Sequence, residues 1–86
     1  MLDFPNQSRV FDLTRRAVRF WGHDGAMEWS FYVTEDALKR LQPGMARDEA
    51  ALLLAFDTYR AAILAAAKKA YGRSRKGSYE LAAADF

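Results

Sequence analysis

The sequence predicts a small α+β domain in which an antiparallel sheet is covered on one face by one long and one short helix. Alternating apolar and polar residues on either side of Asp24-Gly25 are typical of a β-hairpin over Ala17–Val33. Apolar residues at helical spacing over Arg47–Tyr71 predict the long helix. A shorter helix is expected over Glu35–Leu41, where acidic residues follow Thr34.

The hairpin decides which side chains point into the core. Asp24-Gly25 suits a two-residue type I′ turn, since both central residues need a positive φ, and this tip pairs Phe20 with Trp29. Successive side chains then point to opposite faces. The expected core face carries Val18, Phe20, Trp29, Phe31 and Val33. The mixed face carries Ala17, Arg19, Trp21, Glu28, Ser30 and Tyr32.

Short elements are expected before and after the hairpin. Leu2–Phe4 and Arg9–Asp12 are candidate strands, and Pro5-Asn6 ends the first of them. Thr34 is the expected N-cap of the short helix, which Gln42-Pro43-Gly44 ends.

The long helix is expected to end at Gly72. About 25 residues at 1.5 Å each make a rod of roughly 37 Å, as long as a compact domain of this size or slightly longer. A strand over Ser78–Ala82 and a tail over Ala83–Phe86 complete the chain.

Composition limits the class of protein. The 86 residues make a single domain, 1–86. The absence of cysteine excludes a disulfide framework and thiol chemistry, and it agrees with a cytoplasmic location. The N-terminal residues lack the apolar region of a signal peptide. The longest apolar runs, Ala50–Phe56 and Ala61–Ala67, are far shorter than the ~20 residues that span a bilayer.

Catalytic and metal-binding patterns are missing. His23 is the sole histidine, and one histidine without clustered acids does not make a metal site. No serine lies in a nucleophile elbow, and the glycines are dispersed rather than gathered in a phosphate-binding loop. We therefore expect a protein that is not an enzyme and that has no metal or cofactor.

A basic segment is the first candidate for function. Five cations fall within nine residues that contain no acid: Lys68, Lys69, Arg73, Arg75 and Lys76. Such a cluster binds phosphates by releasing counterions, and the flanking Tyr71 and Tyr79 could stack on unpaired bases. Two other interpretations stay open: an acidic protein partner, and a solvated loop after a helix end that the lysines stabilise.

An interaction surface is the second candidate. Its residues are Trp21 and Tyr32 on the mixed face and Leu54, Ala61 and Ala65 on the back of the long helix. The small residues would let another helix or a second copy of the chain approach closely. The alternatives are that alanine serves helix propensity and that the chain's own termini cover the aromatic residues.

Several separated blocks resemble one family. FPN near the start, VRFWGHDGAMEWSFYV, LLLAFDTYRAAILAAAKKAY and the closing SYELAAADF are similar to the bacterial family known as domain of unknown function 1488. The resemblance implies a short cytoplasmic protein with a small α+β fold, and it supplies no activity, ligand or catalytic residue.

A binding or protein-interaction module is thus the leading interpretation, and a weak, sequence-tolerant nucleic-acid binder is the alternative. The position of charge distinguishes them. A nucleic-acid binder needs Arg15, Arg16 and Arg19 to join the basic segment on one face, whereas an interaction module needs an exposed apolar patch instead.

Overall fold

The computed structural model describes residues 1–86 and confirms the α+β class. Its elements in chain order are β1 Leu2–Asp3, β2 Val10–Asp12, β3 Ala17–Asp24, β4 Met27–Thr34, α1 Glu35–Leu41, α2 Glu49–Thr58, α3 Arg60–Arg73, β5 Ser78–Leu81 and a terminal 3₁₀ turn, Ala83–Asp85. The predicted short strands and the short helix are confirmed within one or two residues. The Thr34 side chain accepts a hydrogen bond from the Ala37 amide, as expected of an N-cap.

The sheet is mixed rather than antiparallel throughout. Its order is β1-β3-β4-β5, and β2 pairs with the same edge of β3 as β1, near the other end of that strand. β5 lies parallel to β4, because the chain crosses back through the helices before it rejoins the sheet. The expectation of a purely antiparallel sheet is therefore wrong for this last strand.

The hairpin turns at Gly25-Ala26 and not at Asp24-Gly25. Gly25 has a φ of +61°, and Ala26 is not in the positive-φ region, which is the pattern of a type II′ turn. Phe20 therefore pairs with Phe31, and Trp29 lies opposite Gly22. The predicted register is wrong by two residues. A shift of two leaves every side chain on its predicted face, so the assignment of faces is confirmed.

All three helices pack on the core face. Val18, Phe20, Phe31 and Val33 are at most 2% exposed, whereas Trp29 is half-buried at the edge of the core. Phe20 lies 5.4 Å from Phe31 and 5.2 Å from Phe56 of α2, measured between ring centroids. The helices add further buried residues to this cluster: Ala37, Leu38, Leu52, Ala55, Ile63, Ala66, Ala67 and Tyr71.

The predicted long helix is two helices. α2 ends and α3 begins at Tyr59, whose φ of −106° and ψ of 22° are not helical, and the two axes differ by 80°. Asp57, Thr58 and Tyr59 are all weak helix formers. The Thr58 hydroxyl donates to the Leu54 carbonyl, a bond that often bends helices. Because of the bend, both helices pack on the sheet within a molecule that measures 37 × 23 × 23 Å.

No single helix is long and apolar enough to cross a membrane. α2 and α3 reach the required length only when they are taken together across the bend.

A buried carboxylate joins the end of the sheet to the helices. Glu35 is 7% exposed, and its two oxygens accept hydrogen bonds from the guanidinium groups of Arg16 and Arg47. Arg16 adopts a φ of 50°, and it also donates to the Arg47 carbonyl at 3.0 Å. The hydrogen bond from Arg47, together with that from Arg16, holds the pKa of Glu35 below its ordinary value despite burial.

This arrangement predicts a pH-dependent difference between the wild type and Glu35→Gln. The pKa of Glu35 is lower in the folded than in the unfolded protein. Its stabilisation is thus complete above the unfolded value of about 4.3 and is lost as the pH falls through the folded value. Urea unfolding should show the wild type more stable at neutral pH, with the gap narrowing on acidification to about pH 3. Asp24 and Asp57, whose pKa values are also lowered, are present in both proteins. A gap that does not change with pH would contradict this role.

Candidate interaction surface

One face of the sheet carries no helix, and we name it the open face. It contains the side chains that alternate with the core: Asp3, Val10, Asp12, Ala17, Arg19, Trp21, His23, Glu28, Ser30, Tyr32, Thr34, Ser78 and Glu80. Arg19 lies between Val10 of β2 and Tyr32 of β4, and Tyr32 lies beside Glu80 of β5. Tyr32 is only 7% exposed, yet it is not part of the hydrophobic core cluster.

Two arginines cover the aromatic side chains of the open face. The Arg15 Cζ atom lies 4.0 Å from the centre of the Tyr32 ring. The Arg19 Cζ atom lies 5.1 Å from the Trp21 ring and 5.7 Å from the Tyr32 ring, and its Nη2 donates to the Ser30 hydroxyl at 2.8 Å. We name these five residues the arginine–aromatic cluster. Tyr32 is thus buried under guanidinium groups and not under a terminus.

The arginines of the cluster differ from the others in the chain. The sequence has nine arginines. All but Arg15 and Arg19 contact a carboxylate or a main-chain oxygen: Arg9, Arg16, Arg40, Arg47, Arg60, Arg73 and Arg75. The Arg15 side chain makes no hydrogen bond, and Arg19 bonds only to Ser30 while its Nε is buried without a partner. The Arg15 guanidinium, which is exposed, therefore holds unused donors of the kind that bind carboxylates in pairs, whereas the Arg19 Nε is closed to a partner by burial.

Acidic residues surround the arginine–aromatic cluster. Asp12 and Glu80 lie on β2 and β5, at the sides of the open face, while Asp3 and Glu28 lie near the hairpin tip. His23 Nε2 is 3.2 Å from Glu28 Oε2. The positive charge of the open face is therefore confined to its centre. Two cations thus lie at the centre and four carboxylates at the rim, so a long polyanion crossing the whole face meets like charges at the rim.

Two of the five cations in the basic segment are paired with acids that are distant in sequence. Arg73 donates to Asp85 at 3.1 Å, and Arg75 lies 4.0 Å from Asp24. Lys68, Lys69 and Lys76 form no ion pair. The segment contributes to two cavities, of about 320 and 200 Å³. The larger is lined by Met1, Leu2, Asp24, Lys68, Tyr71 and Arg75, and the smaller by Ala70, Arg73, Ser74, Lys76, Tyr79, Glu80 and Asp85.

The tyrosines beside the basic segment are structural. The Tyr71 hydroxyl donates to Asp24 at 2.5 Å, a bond that lowers the pKa of Asp24 and raises that of Tyr71. The Tyr79 hydroxyl accepts from the Lys76 amide and donates to the Ser74 carbonyl. Both side chains are more than nine-tenths buried. Burial therefore leaves neither ring free to stack on an unpaired base.

The other predicted site residues are spread over the molecule. Leu54 is 63% exposed on α2, and Ala61 and Ala65 are exposed on α3 beyond the bend. These residues do not form the continuous stripe that an unbroken helix would give. Arg16 binds Glu35 beside the Ala17 end of β3, whereas Arg75 lies beside Asp24 at the other end of the strand. At 3.3 Å per residue, the two ends of β3 are roughly 23 Å apart. The basic residues thus do not join on one face.

Histidine and the acids form no group of three or more that would hold a metal ion.

The fold defines a small one-sided α+β domain with an exposed sheet face. The family described as "Protein of unknown function (DUF1488)" matches residues 2–81, and the chain belongs to this family, as its sequence blocks predicted. The chain is also similar to a solved structure, the crystal structure at 1.60 Å resolution of a protein of unknown function from that family in Shewanella loihica PV-4. The identity is 19%, the TM-score is 0.82, and 93% of this chain and 90% of that chain are covered. No curated protein matches the chain.

Proposed function

We propose that this chain is a non-catalytic protein-interaction module whose docking surface is the open face. The observation that carries the proposal is the presence there of both arginines that contact no carboxylate or main-chain oxygen within the fold. Arg15 and Arg19 stack on aromatic rings, which restricts their rotamers and leaves N–H groups free. Arginine, tyrosine and tryptophan are the residue types that dominate binding energy at interfaces. A preorganised cluster loses less entropy when it binds.

The size of the open face fits a modest interface. Two of its strands are eight residues long and the other three have two to four residues, so it offers roughly 400 Å² by the usual strand dimensions. Stable complexes bury about 800 Å² on each partner, and transient ones bury less. We therefore expect a reversible complex rather than a permanent assembly.

Site-directed photo-crosslinking tests this proposal. A photoreactive amino acid replaces Ser78, which is exposed on the open face, and in a matched control it replaces Ala62, which is exposed on α3. We expect a discrete cross-linked protein, or a second copy of the chain, from the Ser78 position only. Adding Arg15→Ala to the Ser78 variant should abolish this product. Equal products from both positions, or a product that Arg15→Ala leaves unchanged, would refute the open face as the docking surface.

Nucleic-acid binding through the basic segment is the second candidate. It is favoured by the exposure of Lys68, Lys69 and Lys76, which form no ion pair. It is opposed by the pairing of Arg73 and Arg75 with acids and by the burial of the neighbouring tyrosines.

For this candidate the structure predicts a shallow salt dependence. Three free lysines give a log–log slope of about −2 for single-stranded nucleic acid, since each phosphate contributes about −0.7. Fluorescence anisotropy at two salt concentrations measures the slope for the wild type and for a variant with all three lysines changed to serine. If the segment binds phosphates, the affinity of the variant no longer depends on salt concentration. Equal affinity of the two proteins would remove nucleic acid as a ligand of this segment.

A further inference from the structure

Resting on the proposed function, we infer that the open face receives an extended segment of a partner protein that carries a carboxylate flanked by basic side chains. Arg15 and Arg19 both stack on Tyr32, so two guanidinium groups are gathered at one ring. The Arg15 guanidinium is exposed and makes no hydrogen bond within the chain, so its N–H groups are open to a partner. A carboxylate accepts two parallel N–H donors from such a group, which a neutral amide cannot match in strength.

Acidic residues of this chain lie on both sides of that centre. Asp12 pairs with Ala17 at one end of β3, and Glu28 pairs with His23 at the other end. A partner that places its acid over the arginines therefore brings its neighbouring residues toward acids of this chain. Basic side chains at those neighbouring positions are complementary, and acidic ones are repelled.

The spacing of side chains along β3 matches that of an extended partner segment. Along β3 the open-face side chains Arg19, Trp21 and His23 are two residues apart, which is roughly 6.6 Å. Alternate side chains of an extended segment have the same spacing. A segment lying along β3 thus meets Asp12, Arg19, Trp21 and Glu28 in turn. The matching order of its alternate side chains is basic, acidic, apolar and basic.

A polyanion is the competing class of ligand, and the same charges disfavour it. Asp3 and Asp12 lie at the β1 and β2 edge of the open face, and Glu80 lies on β5 at the opposite edge. Single-stranded nucleic acid needs a positive groove that follows its backbone over several phosphates. The arginine–aromatic cluster gives two cations with acids on both sides and does not supply that groove.

A capped synthetic peptide is the probe. In it threonines alternate with lysine, glutamate, leucine and lysine, in that order, and a matched peptide has glutamine in place of glutamate. The readout is the NMR signal of the Trp21 indole N–H, assigned with a Trp29→Phe variant. We expect the glutamate peptide to shift this signal and to bind at least roughly tenfold more tightly than the glutamine peptide, the usual advantage of a charge-assisted pair.

Three variants complete the test. Arg15→Ala should weaken binding of the glutamate peptide to the level of the glutamine peptide. Arg15→Lys should recover only part of the affinity, because lysine keeps the charge but lacks the two parallel N–H donors of the guanidinium group. Lys69→Ala, on the exposed side of α3, should change nothing. Equal binding of the two peptides, or no binding of either, would overturn the inference, and so would a single-stranded oligonucleotide that shifts the Trp21 signal at lower concentration. None of these outcomes alters the cross-linking from Ser78, so the proposed function is decided separately.

Discussion

Replacing Phe31 with alanine is expected to lower the free energy of unfolding by about 3–5 kcal/mol, a large share of the stability of a small domain. The Phe31 ring is fully buried at the centre of the core face. Its centroid lies 5.4 Å from Phe20, 5.0 Å from Tyr79 and 5.9 Å from Phe4, so its removal leaves a cavity that touches three strands and the N-terminal segment. Urea unfolding, or the loss of folded protein at 25 °C, measures the effect.

Trp29→Ala is the matched comparison for Phe31→Ala. Trp29 is half-buried at the rim of the core, where its ring lies 6.1 Å from Tyr71. Its replacement should therefore cost less than that of Phe31. A loss for Trp29→Ala equal to or larger than that for Phe31→Ala would instead favour a register in which Trp29 faces Phe20.

Gly22→Ala is expected to destabilise the domain by about 1–3 kcal/mol through overpacking. A Cβ atom at this position would lie 2.9 Å from Leu2 Cδ1 and from Phe31 Cε1, and 3.0 Å from Phe4 Cε1. Leu2 is able to move, but the Phe31 ring is held on both sides by stacked rings. The N-terminal residues are the ones that must shift.

Gly72→Ala is the control for this prediction. Gly72 lies within α3, and a Cβ atom there would meet nothing within 4 Å. The higher helix propensity of alanine should leave stability unchanged or slightly increased. Thermal unfolding of the two variants beside the wild type checks both expectations. A Gly22→Ala protein as stable as Gly72→Ala would show that Leu2 and Phe4 do not pack against β3.

The faces of the sheet could be predicted from the sequence, but its register could not. Residue parity alone separates Phe20 and Phe31 from Arg19 and Tyr32, and parity survives a shift of two residues. The register depends on which dipeptide forms the turn, and Asp24-Gly25 and Gly25-Ala26 both contain a glycine able to take a positive φ.

The break between α2 and α3 could not be predicted from the spacing of apolar residues. Apolar residues at helical spacing continue through the bend, because both α2 and α3 bury one side against the same sheet. The three weak helix formers at Asp57–Tyr59 were a local signal of the break. The tertiary contact that holds Asp57, a pair of hydrogen bonds from Arg9 at 2.9 and 2.7 Å, joins residues far apart in the chain.

The candidate site could be predicted from the sequence only in part. The alternation of side chains placed Trp21, Tyr32 and Arg19 together on the mixed face. That Arg15 and Arg19 are left without an acid followed only from the structure. Whether an arginine is paired depends on the positions of the acids in the folded protein. Glu35, Asp57 and Asp85 contact other arginines that are distant in sequence. Local charge density pointed instead to the basic segment, whose two arginines are paired.

The most direct measurement is a paired pull-down from the native cell extract, with the wild-type chain and an Arg15→Ala/Arg19→Ala variant as baits. Captured proteins are identified by mass spectrometry, and nucleic acid is detected by staining. A Lys68→Ser/Lys69→Ser variant serves as the matched control, and thermal unfolding confirms that each bait is folded. We predict one or a few proteins that the wild type and the lysine variant retain in equal amounts and that the arginine variant loses. Retention of the same proteins by the folded arginine variant, with loss of bound nucleic acid or protein in the lysine variant, would contradict the assignment of function to the open face.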